Sequence, residues 1–415
     1  MTNYREPNPQ LLKSELGKRL YQSIYGGVPI VPENRLPVDD IPPPPRRVPE
    51  PSARPPAAVV RQQFALPANY VPSLATLVNF YRDFGVVDEE KTCVLLTLAM
   101  VHGLHVGVEG PSGSGKSYIV QGLSELLPKE QVYTLELASD KAVFYDAVRV
   151  NNARFLIAPE LQKPLKEKNG STIEVLKTLS EGRDLDRLVT QTGGQVRHQV
   201  ISGKNKVILY TLAMENSFKK DAELSRRFIV LYTDTSDEHV QHVLQESAMR
   251  QFADKNKNLD ILETASLKRY LSSLIALQDV KFRDPFAVFM RRYIPQIPRA
   301  VSFVNHYDHL LNAFTKFYHP VRLRDGKQVF TALEDHYQLF TLYHENFMQN
   351  LFALGDGHEN MQVPAVDWEG CFRAGLEAMI QQYPSFADQW LEKHIVDNQV
   401  VVHHPLTGDV VPVAS

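Results

Sequence analysis

The run Gly110-Pro111-Ser112-Gly113-Ser114-Gly115-Lys116-Ser117 constrains this chain more than any other. It fits G-x-x-x-x-G-K-[ST] at every position, and its surroundings give the pattern meaning. The apolar stretch Leu-His-Val-Gly-Val-Glu before it predicts a strand, and Tyr118 to Leu127 after it predicts a helix. Glycines let such a loop wrap tightly, so its amides point inward at phosphate oxygens. The helix N-terminus adds favourable partial charge. Lys116 then reaches the β- and γ-phosphates, and the Ser117 hydroxyl is the ligand offered to Mg²⁺.

Four further segments come in an informative order. Phe155-Leu-Ile-Ala-Pro-Glu160 reads as an apolar strand delivering a carboxylate at its C-terminal end, the edge where ligands bind in open α/β sheets. Glu160 there orients and polarises the water that attacks the γ-phosphate. A second apolar strand, Val207 to Ala213, closes on Met214-Glu215-Asn216. A polar group at this tip sits between water and phosphate; Asn216 is the first choice, with Thr211 and Glu215 as alternatives. Glu223-Leu-Ser-Arg226-Arg227-Phe228 places two arginines before another strand, the pattern of an arginine finger supplied to a neighbouring subunit. Gln296-Ile-Pro298-Arg299-Ala300 opens a long aromatic helix. A cation at a helix start opposes the helix dipole, which points to another partner for Arg299, such as phosphate.

Order and spacing together resemble the AAA+ ATPases over about Leu74 to Asn346. The resemblance implies an α/β fold: a P-loop NTPase core with a parallel sheet, then a helical lid domain, with a Pro-rich N-terminal extension ahead of both. It implies ATP and Mg²⁺ as cofactors, and a homo-oligomeric ring, commonly hexameric. Gly110 to Ser117 become the nucleotide ligands and Glu160 the catalytic carboxylate. Asn216 becomes the first sensor, Arg227 or Arg226 the finger acting in trans, and Arg299 the second sensor. One position departs from the family: the residue before the catalytic Glu is usually Asp, which helps to hold Mg²⁺, and here it is Pro159.

Arg187-Leu-Val-Thr-Gln-Thr and Gln195-Val-Arg-His-Gln-Val-Ile201 flank Gly193-Gly194, a strong hairpin signal. A hairpin ahead of the first-sensor strand resembles the AAA+ branch with a pre-sensor hairpin, which includes ring helicases and MoxR-type chaperones. Glu160-Leu-Gln162, Lys177 to Arg183 and Thr211 to Asn216 also look like ATPases of phage and mobile-element replication modules. Pro298-Arg299-Ala300 and Val329 to Asp335 look like MoxR-type lids. The leading expectation is a nucleic-acid translocase or helicase-like replication ATPase, with Arg187, Arg197 and His198 as donors to a nucleic-acid backbone. The turn itself has no Lys or Arg, unlike a typical helicase hairpin. The alternatives are a MoxR-type protein remodeller and, from Pro159, a nucleotide-switched scaffold with weak hydrolysis.

Texture sets the expected boundaries. Residues 1–27 hold an amphipathic helix with Leu12, Leu16, Leu20 and Ile24 on one stripe, a candidate docking element for a protein partner. Residues 28–72 form a linker; the stretch from Gly27 to Pro72 carries about half of the chain's 27 prolines, which favour extended, unpaired backbone. The ATPase core spans 73–236 with the hairpin insertion at 183–203, the lid 237–346, and a C-terminal helical segment and terminal hairpin 347–415. The charge sum of −3 announces no nucleic acid by itself. Cys93 and Cys371 are the chain's only cysteines, too few for a disulfide framework or a cysteine-based zinc site, and they fit a reducing cytoplasm. The longest apolar run, near Cys93 to Val101, is too short to span a bilayer. The expectation is a cytoplasmic protein with no membrane partner.

Overall fold

A computed structural model describes residues 70–135, 142–161, 171–190, 196–213, 226–252, 261–298, 300–352, 365–383, 395–396 and 399–412. The N-terminal amphipathic helix, nearly all of the proline-rich stretch, the Gly193-Gly194 turn, Glu215, Asn216 and Arg299 lie outside them.

The heart of the fold is a five-stranded sheet of β1 (His105–Glu109), β2 (Val132–Thr134), β3 (Phe155–Ala158), β6 (Val207–Leu212) and β7 (Phe228–Tyr232). A two-stranded hairpin of β4 (Leu185–Thr190) and β5 (Val196–Ile201) intervenes in sequence. The sheet order is β2-β3-β6-β1-β7, and every pair is parallel. Parallel sheets are covered on both faces, so their strands read as continuous apolar runs. Side chains alternate between those faces. Phe155, Ile157, Val207, Leu209, Ile229 and Leu231 enter one buried cluster, while Leu156, Ala158, Ile208, Tyr210, Phe228 and Val230 enter another. The α/β class and parallel sheet expected from the sequence are what the chain adopts.

On the first face lie α1 (Leu74–Phe84), α2 (Glu90–His102) and α3 (Lys116–Leu126). The Ser73 hydroxyl caps α1 by accepting from the Thr76 amide at 3.2 Å. Every residue of α2 from Thr92 to Val101 is buried. A helix apolar on all sides needs cover on all sides. The sheet covers α2 from below, through β1 and β7. Three helices from beyond the sheet also touch it: α7 (Ile261–Ala276), α8 (Ala300–Phe317) and α9 (Leu333–Phe352). The helices α7, α8 and α9 therefore share one buried cluster with α1–α3 and the sheet. The second face is covered by α4 (Ala147–Asn152), α5 (Ser171–Ser180) and the base of the hairpin. The helix α6 (Asp237–Phe252) comes directly after β7.

A third cluster gathers the chain's C-terminal part: Phe286, Leu323, Phe330, Trp368 and Phe372 around α10 (Trp368–Gln382). Next to it runs a buried polar network. Arg322 stacks over the Tyr318 ring at 4.6 Å and bonds both oxygens of Asp335, which is fully buried. Asp335 also accepts from Thr315 at 3.1 Å and from the Ala332 amide at 3.0 Å. Arg322 reaches Glu334 at 3.0 Å, and Glu334 accepts from His403 of the C-terminal strand Gln399–His403. Burial alone would raise the Glu334 carboxyl, but the His403 bond and the Arg322 charge outweigh it and hold it at about 2. Its stabilising contribution is present above the ordinary carboxylate range and is lost as pH falls through about 2. Asp335→Ala is expected to destabilise the fold by about 3–5 kcal/mol, because Arg322 is left buried and half-paired. Urea unfolding monitored by circular dichroism measures this, and a change under about 1 kcal/mol would refute it. Among the described residues no helix is long and apolar enough to cross a membrane.

Candidate functional site

All five parallel strands end at one edge, where Gly110, Pro159, Ala213 and Thr233 follow β1, β3, β6 and β7. The loop after β1 is Gly110 to Ser117. Gly115 adopts φ 79°, a left-handed turn open to glycine, and so sets the start of α3 at Lys116. Gly110 is needed for space: a Cβ there would meet Thr233 Oγ1 at 1.9 Å. Thr233, directly after β7, holds the loop in place. Its amide donates to Glu109 O at 2.9 Å, and its hydroxyl donates to Ser114 Oγ at 2.7 Å. The Lys116 ammonium sits inside the loop, donating to Gly110 O at 2.9 Å, Pro111 O at 2.5 Å and Ser114 Oγ at 3.2 Å. Burial lowers its pKa, opposed by the charge of Glu89.

β6 lies between β1 and β3, so its tip separates the Gly110–Ser117 loop from Glu160. Thr211 occupies that tip. Its hydroxyl accepts from the Glu160 amide at 3.1 Å, and its carbonyl accepts from the Leu161 amide at 3.0 Å. Glu160 itself is exposed and has φ 56°, strained for a residue with a side chain and held by this clamp. Pro159 brings no carboxylate.

These residues line one cleft of about 560 Å³. Ser112 to Tyr118, Glu160, Thr211 and Ala213 form one side of it. The bend Gly85-Val86-Val87 with Glu89, and His239, Val243, Glu246 and Ser247 of α6, form the other. Glu89 is 4% exposed and accepts from the Asp234 amide at 2.8 Å. Burial pushes its carboxyl up to about 8, against the bonds from Thr92 and Asp234. The sequence reading missed Glu89, His239 and Thr233. A signal existed for Thr233 alone, as the first polar residue after an apolar strand.

The arginines lie elsewhere. Arg226 and Arg227 precede β7 and so sit at the opposite edge of the sheet, a strand's length or about 16 Å from the loops. Neither reaches its own chain's cleft. Arg227 is committed to the C-terminal end of α5 and the turn beyond it, donating to Lys177 O at 2.9 Å and pairing with Glu181. Arg226 is exposed. The hairpin residues divide between two faces. The register pairs Arg187 with Gln199 and Val189 with Arg197, on the face that turns toward α4 and the turn ahead of it. There the Arg187 guanidinium lies 5.5 Å over the Phe144 ring. His198 is on the opposite face, paired with Asp186. That outward face also carries exposed Leu188, Val196 and Val200. The three residues expected to meet one nucleic-acid backbone are thus not brought together.

Comparison with protein-family models gives no match, and comparison with curated proteins gives none either.

Proposed function

We propose that this chain is an ATP-hydrolysing motor of the AAA+ type that works as a ring of identical subunits. The observation that carries the reading is the sequence of polar groups along the sheet's C-terminal edge: phosphate loop after β1, Thr211 on the adjoining β6, Glu160 on the strand beyond. This order leaves a position for a water between the γ-phosphate and Glu160, with Thr211 fixing the carboxylate's backbone. Lys116 and the loop amides hold the β- and γ-phosphates, and Ser117 is the residue to hold Mg²⁺. The ion supplies charge neutralisation on the transferring phosphoryl group when bound. Pro159 leaves Ser117 and water to carry the metal. Arg226, exposed and a strand's length from its own cleft, is suited to a neighbour's γ-phosphate better than Arg227, which its own chain occupies.

The motor's substrate was expected to be nucleic acid. Of the residues named for that contact, Arg197 is exposed on the hairpin, while Arg187 and His198 are engaged within the chain. A second reading, remodelling of a polypeptide, is favoured by the apolar outward face of Leu188, Val196 and Val200. Steady-state ATPase activity of the full chain, alone and with single-stranded DNA, duplex DNA or RNA at two salt concentrations, separates them. Stimulation that fades with salt supports nucleic acid. Basal turnover without stimulation supports the polypeptide reading. ATP binding without turnover makes Pro159 the mark of a nucleotide-switched scaffold, and absence of ATP binding sinks the proposal.

A further inference from the structure

Away from the cleft, three helices end beside the edge from which β1 and β3 start: α2 at His102, α7 at Ala276 and α8 at Phe317. Arg154, directly ahead of β3, joins two of them. Its guanidinium donates to Ile275 O at 3.0 Å, and a Cβ on Gly103 would lie 3.6 Å from it. Tyr270 of α7 donates to Phe317 O, which brings in the end of α8 with Lys316. These groups are rich in donors and poor in acceptors. Lys316 is 7% exposed, and its ammonium has no hydrogen bond or ion pair among the described residues. Arg154 Nε and His102 Nδ1 are buried without partners there. Burial and the Arg154 charge bring Lys316 down to about 8. Burial with the charges of Lys316, His309 and Arg154 brings His102 down to about 3. Cations at helix C-termini are ordinarily held by the terminal carbonyls. Arg154 takes one of these, at Ile275, and the Lys316 ammonium takes none.

We propose that Lys316, Arg154 and His102 form a binding site, separate from the cleft, for a small tetrahedral oxyanion of the inorganic phosphate or sulfate class. The chemistry comes from hydrogen-bond polarity and charge. An ammonium and a guanidinium N–H can only donate, and a neutral imidazole can carry its proton on Nδ1. Buried and unpaired, such cations cost stability. A ligand that satisfies all three must accept on every side and carry negative charge, which describes an oxyanion. Enclosure of Lys316 favours a free ion over a nucleic-acid backbone. The bound oxygens accept from Lys316 Nζ, Arg154 Nε and His102 Nδ1, and so tie α8 to the end of α2 and to the start of β3. The groups that face Lys316 are Arg154 ahead of β3, His102 from α2, His309 from its own helix and His319 just beyond it, none of them acidic. A dianion beside Lys316 favours its charged form. Binding therefore takes up a proton near pH 8 and weakens above it.

The test is thermal melting of the full chain in a sulfate titration, with chloride lowered to hold ionic strength constant, at pH 7 and pH 9. Sulfate is the probe because it stays a dianion across that range. The wild type at pH 7 is expected to gain about 2 °C or more, saturably, as sulfate reaches roughly tenfold its dissociation constant. Lys316→Met should lose that gain, and without sulfate it should melt no lower than the wild type, since a buried unpaired ammonium has been removed. Lys116→Ala should keep the gain at pH 7 and lose most of it at pH 9, because Lys316 sheds its proton between them while the phosphate loop has already lost its cation. A gain that survives in Lys316→Met overturns the inference, as does a gain abolished by Lys116→Ala, which assigns the ion to the phosphate loop. Equal effects of sulfate and chloride on the wild type overturn the oxyanion. Should Lys316→Met fail to fold, an equal sulfate gain at pH 7 and pH 9 in Lys116→Ala overturns the inference as well.

Discussion

On the proposed reading, Lys116→Ala is expected to weaken ATP binding about 100-fold or more and to reduce hydrolysis to background, because the ammonium would make charge-assisted bonds to two phosphates worth about 1.5–3 kcal/mol each. The fold should survive. Among the described residues Lys116 bonds only its own loop, at Gly110 O, Pro111 O and Ser114 Oγ, and the loop is held independently by Thr233 and by the Gly110 amide donating to Leu212 O at 3.2 Å. The loss therefore belongs to the ligand, not to stability, and isothermal titration beside a thermal melt separates the two. A variant that melts like the wild type and binds ATP within about threefold of it would remove the loop from nucleotide binding.

The range of the interactions involved decides how much of the fold and the site was legible in the sequence. The strand–loop–helix at 105–126 is written locally, since glycine spacing, the apolar run and the helix start all fall within one stretch of chain. The parallel sheet was legible for the same reason, each buried strand being a short apolar run. The packing of α7, α8 and α9 onto α2 was not read, although its cause is visible: a helix buried from Thr92 to Val101 demands cover on every side. The site divides along the same line. Lys116 and Glu160 announce themselves at strand ends. Glu89 does not, because a glutamate beside Glu90 at a helix start reads as a solvated cap. The amide its buried carboxyl bonds comes from Asp234, far along the sequence. The sequence reading put Arg227 ahead of Arg226 as the finger. The partner that separates them, Glu181, belongs to the end of a helix well before them.

On the proposed reading, Glu160→Gln is expected to keep ATP bound and to lower turnover by about 10²–10⁴, the usual worth of a positioned general base. The substitution is close to isosteric. The backbone clamp from Thr211 acts on the Glu160 and Leu161 amides and does not depend on the side chain, so the strained φ of 56° is preserved. What the proposed mechanism would lose is the carboxylate's pull on the attacking water, so stopped turnover with intact affinity is the expected signature. An unchanged rate would assign the water to another group. The same variant tests the ring. Mixed with Arg226→Ala, whose clefts retain Glu160 but whose neighbours lack the finger, it should restore activity. Arg226→Ala clefts then meet the intact Arg226 of a Glu160→Gln neighbour. Two crippled proteins regain function only if each site is built from two chains. Arg227→Ala should behave differently, because Arg227 bonds Lys177 O and Glu181 of its own chain and its loss loosens the end of α5. Failure of every Glu160→Gln and Arg226→Ala mixture to exceed its components would leave Arg226 on a surface with no part in hydrolysis and the ring without its trans contact.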